Sequence, residues 1–173
     1  NMFCVWCVIS ELPAHANVVT FYGVADADKG VYIVTEFVPD GSLDRYLMEQ
    51  RDVIEQSVLV QMIKDVAAGM DHLATHGILH RDLAARNLLV EVKRSGYHRV
   101  KVCDFGLALE RAASDGPVAD EQLLQQEQQQ RLSNVPVRWT AIEVLLHGHY
   151  TTKSDVWSFG VTVWEIFSGG QIP

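Results

Sequence analysis

His80-Arg81-Asp82-Leu83-Ala84-Ala85-Arg86-Asn87 decides how this chain is read, together with Asp104-Phe105-Gly106, whose first residue lies seventeen positions after Asn87. The first stretch follows residues 57–75, where Val58, Met62, Ile63, Val66, Gly69, Met70 and Leu73 recur at helical spacing. That spacing predicts a long amphipathic helix ending near Gly77. Between the two motifs, residues 88–92 and 100–103 are short β-branched runs joined by the polar Lys93-Arg94-Ser95-Gly96. They predict a pair of short strands.

Upstream, residues 18–24 and 31–37 are β-branched and aromatic, with Asp26-Ala27-Asp28-Lys29-Gly30 between them. This predicts a β-hairpin. Pro39-Asp40-Gly41-Ser42 has turn chemistry, and Ser42 or Asp40 is placed to cap a short helix over residues 43–49. Residues 2–12 form an apolar segment that stops at Pro13, a helix-ending residue. Downstream, residues 110–135 are polar and include Gln122, Gln125, Gln126, Gln128, Gln129 and Gln130. Such a stretch has few anchors for a core, so mobility is expected there. From Asp155 to Ile166 apolar density rises, with Trp157, Phe159, Val161, Val163 and Trp164, and predicts a helix buried on most faces. A hairpin followed by helices and small strand pairs makes the class α+β, with no internal repeat.

At 173 residues and 48% hydrophobic, the chain can bury one core but not two full domains. A net charge of −8 and a pI near 5.2 argue against a nucleic-acid partner, because phosphate backbones need a basic face. Three cysteines, Cys4, Cys7 and Cys103, suit a reducing compartment. Cys4-Val5-Trp6-Cys7 without a second pair reads as ordinary thiols rather than a metal site. The apolar run over residues 2–9 is too short to span a bilayer and lacks the marks of a signal peptide. No membrane span is expected in this chain.

Ala141-Ile142-Glu143 and Ser154-Asp155-Val156-Trp157-Ser158-Phe159-Gly160 complete the series. Taken in order, these motifs resemble the protein kinase family: the catalytic loop at 80–87, then an activation segment running from the metal-binding loop at 104 to 143. His15-Ala16-Asn17-Val18-Val19 and Glu36-Phe37-Val38-Pro39-Asp40-Gly41-Ser42-Leu43 extend the resemblance over nearly the whole chain. Ala84 stands where serine/threonine kinases carry a lysine. Ala84-Ala85-Arg86-Asn87 and Val135-Pro136-Val137-Arg138-Trp139-Thr140 resemble the tyrosine-specific group.

The resemblance implies a kinase-like fold, here truncated. Residues 1–38 would be the hinge and an upper-lobe remnant, a helix plus the hairpin. Residues 39–173 would be part of the mainly helical lower lobe. It implies ATP and Mg²⁺ as cofactors and a tyrosine-bearing protein substrate, with regulatory protein partners in reach. Asp82 would orient the phenol and take its proton, Arg86 would hydrogen-bond Asp82 and the phenol oxygen, and Asn87 and Asp104 would ligate Mg²⁺. Thr35 would be the gatekeeper, Glu36 and Val38 would offer backbone groups to the adenine, Leu89 would form the floor and Asp44 would reach the ribose. Cys103 would line the back of the pocket. His80 and Phe105 would stack between the lobes with Phe21 and Ile9, Asp155 would accept backbone N–H groups of the catalytic loop, and Gly106 would let the backbone turn after the metal ligand. Out of context, Asn87 is a turn cap, Arg86 a surface ion-pair partner and Cys103 a small buried side chain.

The sequence also departs from the family. It has no G-x-G-x-x-G, and Lys29 is the only lysine before Lys64. Neither Val5 nor Trp6 can serve as the glutamate that pairs with the ATP lysine. Glu143 would be expected to pair with an arginine beyond these residues. Between Asp104 and Glu143, apart from Thr140 in the Trp139-Thr140-Ala141 turn, Ser114 and Ser133 are the hydroxyl residues, and there is no tyrosine. The leading expectation is a tyrosine kinase of which these residues are a part, inactive by themselves. The alternative is a pseudokinase or interaction module. A cytoplasmic location is expected, either free or as the inner part of a membrane receptor.

Overall fold

The computed structural model describes residues 9–27, 30–110 and 136–173. The Cys4–Cys7 pair and the glutamine-rich stretch with Ser114 and Ser133 lie outside them. Residues 9–11 are helical, and Ile9 is buried in the core. Strands β1 (Phe21–Ala27) and β2 (Gly30–Thr35) pair antiparallel, Ala27 with Gly30 and Phe21 with Thr35. Helices α1 (Leu43–Glu49) and α2 (Gln56–Thr75) follow. Then come β3 (Ile78–Leu79), a 3₁₀ turn (Ala85–Asn87), β4 (Leu88–Val92), β5 (His98–Val102) and β6 (Leu109–Glu110). A second 3₁₀ turn (Val137–Trp139) leads to α3 (Ile142–His147) and α4 (Thr152–Phe167). Three two-stranded sheets result, β1–β2, β3–β6 and β4–β5.

Helix α2 is the spine. Met62, Val66, Gly69 and Leu73 form one buried stripe, as their spacing requires. The helix closes at His76, with Gly77 at φ 74° supplying the left-handed turn. A Cβ on Gly69 would stand 2.5 Å from the Asn17 carbonyl oxygen and 2.8 Å from Val102, so only glycine lets α2 approach β5 this closely. Asp65, buried on the same face, accepts from the Val100 N–H at 2.9 Å, the Tyr97 hydroxyl at 2.8 Å and Gln61 at 3.1 Å. These bonds fix the strand that leads into Asp104.

The predicted hairpin needs one correction. Residues 18–20 do not belong to it: Val18 bridges in parallel to Val102, and the Val19 N–H donates to the Val102 carbonyl at 2.9 Å. The apolar 18–24 run therefore serves two sheets, its first part joining β5 and its second part forming β1. Capping differs too. Ser42 holds the N-cap position of α1 without a side-chain bond, and Asp40 accepts instead from the Val92 N–H at 2.8 Å.

Helix α4 carries the largest correction. Its buried residues are mostly polar: Ser154, Asp155, Ser158, Thr162 and Glu165, with Ile166. Val156, Trp157 and Trp164 are exposed, at 59%, 51% and 46%. The helix is not apolar inward, because its inner face meets loop backbone that needs acceptors. Asp155 and Glu165 each take two N–H donors there, and Ser158 donates to the Trp139 carbonyl at 2.8 Å. Its start is a capping box, in which Thr151 and Ser154 satisfy each other's backbone N–H groups.

Candidate active site

The loop between β3 and β4 is short, buried and held from below. Asp155 accepts the His80 N–H at 2.8 Å and the Arg81 N–H at 2.9 Å. Burial pushes the Asp155 carboxyl up, against the pull of those two amides. Arg81 sits at φ 69°, a left-handed conformation that a side chain adopts only under constraint, and Asp155 supplies that constraint. The Arg81 guanidinium lies 3.9 Å over the Tyr150 ring.

His80 is fully buried between the two motifs. Its Nε2 lies 3.1 Å from the Cys103 carbonyl and its Nδ1 accepts from the Asp82 N–H at 3.3 Å. Those partners select the neutral tautomer protonated on Nε2, and burial pushes the imidazole down, which keeps it neutral. The Phe105 ring packs against it at 5.6 Å, and Phe105 joins the core that contains Ile9 with Phe21 at its edge.

Asp82, Arg86 and Asn87 interlock. Arg86 Nη2 pairs with Asp82 Oδ1, while Asn87 Nδ2 donates at 2.8 Å to both the Asp82 carbonyl and Oδ2. The Cys103 N–H donates to the Asn87 carbonyl at 3.0 Å, which ties the residue before Asp104 to this group. Asp104 adopts φ 60°, and its Oδ1 accepts from the Gly106 N–H at 3.2 Å. The left-handed turn thus falls on Asp104 itself, not on Gly106. Glycine is favoured at 106 for a different reason: its Cβ would stand 3.2 Å from Asp104 Oδ1.

Of the positions expected to meet the base, Thr35 ends β2 and the linker 36–38 follows. The Glu36 N–H is taken by the Thr20 carbonyl at 2.9 Å, which leaves its carbonyl as the backbone group it can offer. The Glu36 side chain accepts at 2.7 Å from both the Thr20 N–H and Lys101 Nζ. Burial pushes this carboxyl up, but Lys101 and Thr20 outweigh it and hold it below its ordinary value. Val38 is buried, and Gly41 and Asp40 pin the end of the linker to Val90. Leu89 is half-buried on the face of β4 opposite Leu88 and Val90. Asp44 lies on α1 with a buried Oδ1 that has no hydrogen-bond partner among the described residues, close enough to Glu165 for its charge to act there. Burial, then the Asp104 charge, pushes the half-buried Cys103 thiol up to about 12, which makes it a poor nucleophile.

Among the described residues no group of three or more His, Cys, Asp or Glu is placed to hold a metal. Asn87 and Asp104 nevertheless suit Mg²⁺. The Asn87 nitrogen is committed to Asp82, so its oxygen is the atom left for a cation. Two hard oxygen ligands from protein, with phosphate oxygens completing the shell, are the usual arrangement for that ion.

Glu165, Trp139, Tyr150 and Lys101 did not emerge from the motifs as site residues. One signal for Glu165 was available: a lone carboxylate between Trp164 and Ile166 in an apolar helix needs buried donors. Among the described residues no helix is long and apolar enough to cross a membrane.

Comparison with known proteins agrees with this geometry. The family model for protein tyrosine and serine/threonine kinases matches residues 2–173. Human ephrin type-A receptor 1 is 38% identical over 160 residues, which is 92% of this chain and 15% of the receptor. Tyrosine protein-kinase src-1 of Caenorhabditis elegans is 40% identical over 159 residues, 92% of this chain and 28% of that protein. Mouse tyrosine-protein kinase Fer is also 40% identical over 159 residues, 92% of this chain and 18% of its own length. The chain therefore spans between 15% and 28% of these relatives. With the 80–87 loop, the 104–106 turn and α4 held together as described, this chain belongs to the protein tyrosine and serine/threonine kinase family and aligns with its tyrosine kinases.

Proposed function

We propose that these residues carry the catalytic loop, the cation-binding loop and the base-binding linker of a protein tyrosine kinase. The observation that carries this reading is the interlocked Asp82–Arg86–Asn87 group with the residue before Asp104 tied to it. Mg²⁺-bound ATP, when present, supplies the phosphoryl group and neutralises its charge. Asn87 and Asp104 hold the cation through side-chain oxygens. Asp82 Oδ2 receives the phenol proton, and Arg86, paired with Asp82 Oδ1, keeps the carboxylate turned toward the acceptor. The Glu36 carbonyl and the Val38 backbone would hold the adenine, with Thr35 as gatekeeper and Leu89 as the floor. Asp44, whose Oδ1 is buried on α1, would reach the ribose.

In this reading residues 1–38 are the upper-lobe part with the hinge, and 39–173 the lower-lobe part. The substrate is a tyrosine on a protein, regulatory proteins are the other partners, and the location is cytoplasmic, free or beneath a membrane receptor. A second reading, an interaction module without catalysis, is favoured by one observation. Lys101, the buried lysine beside the linker, is engaged by Glu36, and Lys29 is the only lysine before Lys64.

The test is phosphotransfer to a tyrosine peptide. These 173 residues alone should bind ATP weakly and turn over negligibly. A chain extended upstream to include a glycine loop and lysine should be active with Mg²⁺ and lose about 10²–10⁴-fold in rate with Asp82→Asn. Full activity in that variant would refute the assignment of Asp82.

A further inference from the structure

Arg86 must present a flat guanidinium to Asp82 from the end of a flexible stem, so something has to fix its plane. Its Cζ lies 4.8 Å from the Trp139 ring, a cation–π geometry that orients the fork. Trp139 is held in turn: its indole Nε1 donates to Glu165 Oε2 at 2.8 Å. The same oxygen accepts the Ala85 N–H at 2.9 Å. One carboxylate thus grips the residue before Arg86 and the ring beneath Arg86.

Glu165 is 4% exposed and makes no ion pair among the described residues. Burying an unpaired carboxylate is costly unless its hydrogen bonds are made, and an apolar residue would suit this helix without that cost. The two N–H donors come from the 80–87 loop and from the Val137–Trp139 turn near the end of the activation segment. Burial still pushes the Glu165 carboxyl up, so these contacts only partly offset desolvation.

The geometry points to Trp139 and Glu165 as positioning residues for Arg86. Glu165 fixes the indole and the Ala85 backbone in one grip, the indole holds the guanidinium flat, and the guanidinium aims Asp82 at the phenol. This role rests on the kinase reading given above. Neither residue touches the reacting atoms.

The test reads the Arg86 Nε–H resonance in the ¹⁵N-labelled 173-residue chain. The indole face should displace that resonance upfield and slow its exchange with water. Trp139→Phe keeps a ring and should keep most of the displacement, whereas Trp139→Leu should abolish it. Glu165→Gln keeps an acceptor and should preserve the Trp139 Nε1–H and Arg86 signals. Glu165→Leu should free the indole and lose both. The Val100 amide, bonded to Asp65 on the far side of the core, marks folding. If Glu165→Leu unfolds the chain by that marker, the two Trp139 variants decide. An Arg86 resonance unmoved in a folded Trp139→Leu chain overturns the proposal. The kinase reading is followed separately, by Mn²⁺ broadening of the Asn87 and Asp104 amides. Broadening with an unmoved Arg86 refutes the positioning role alone, and a moved Arg86 without broadening refutes the kinase reading while leaving the grip itself in place.

Discussion

Asp155 is where a single substitution should be felt most strongly. Its carboxylate accepts two buried amides, His80 N–H at 2.8 Å and Arg81 N–H at 2.9 Å. Asp155→Ala leaves both donors without a partner in a place water does not reach. Each orphaned buried donor costs about 1–3 kcal/mol. The loop also relaxes, because Arg81 at φ 69° is no longer held. Breaking such a group costs about 3–5 kcal/mol in total. Asp155→Asn keeps one acceptor and avoids burying a charge. Burial already pushes the native carboxyl up, so part of its gross gain is offset by desolvation. The asparagine variant should therefore cost less, about 1–2 kcal/mol. Urea unfolding followed by circular dichroism measures this directly. With an m-value of about 2 kcal/mol/M, the alanine variant should lower the midpoint by about 1.5–2.5 M at unchanged m. A midpoint drop below about 0.5 M would mean that the two amides find other partners, and the account of how α4 braces the loop would be wrong.

Further outcomes are expected elsewhere. Burial pushes the His72 imidazole below its ordinary 6.5, with the His15 and His76 charges adding to this against the Pro13 carbonyl and Asp71. The folded state thus binds this proton less readily than the unfolded chain, so stability is fully present above the ordinary value and is lost as pH falls through 6.5 toward the lower folded value. His72→Phe keeps the stack on His15 and should flatten the decline between pH 7.5 and pH 5.5 (both about), seen as a smaller drop in Tm; an identical slope in the variant would count against it. In a Cys4→Ser/Cys7→Ser background, Cys103 should alkylate on the order of a thousandfold more slowly at neutral pH than an exposed thiol, because the thiolate fraction falls tenfold for each step in pKa. Tyr97→Phe removes one bond to Asp65 and should cost about 0.5–1.5 kcal/mol, whereas Asp65→Ala also orphans the buried Val100 N–H and should cost at least twice as much in urea unfolding. Gly69→Ala forces a Cβ to within 2.5 Å of the Asn17 carbonyl, and a loss of about 1–3 kcal/mol is expected because backbone cannot give way.

The legible parts of this chain are those where a local pattern and its environment agree. Helix α2 follows its apolar stripe, and β4 follows its β-branched run. Asp155 was legible through the resemblance, which puts there a carboxylate that accepts loop amides, and the His80 and Arg81 N–H groups are those donors. The misplacements have one cause. The 18–24 run is uniformly strand-like, and nothing in it marks that Val18 joins β5 while Phe21 begins β1. Glu36 reads as a linker residue, yet its side chain meets Lys101 from sixty-five positions away.

Residue order alone determined the chemistry available here: which acids, amides and arginines exist, and at what spacing along two loops. Tertiary structure decided which way each element faces. Helix α4 turns its serines, threonine and carboxylates inward and its tryptophans outward, the reverse of what hydropathy suggests. Buried backbone N–H groups must be answered, and where they cluster is settled only when distant segments meet. The grip of Glu165 on Ala85 and Trp139 depends on three segments at once: its own helix marks a carboxylate in need of donors, but not which donors meet it.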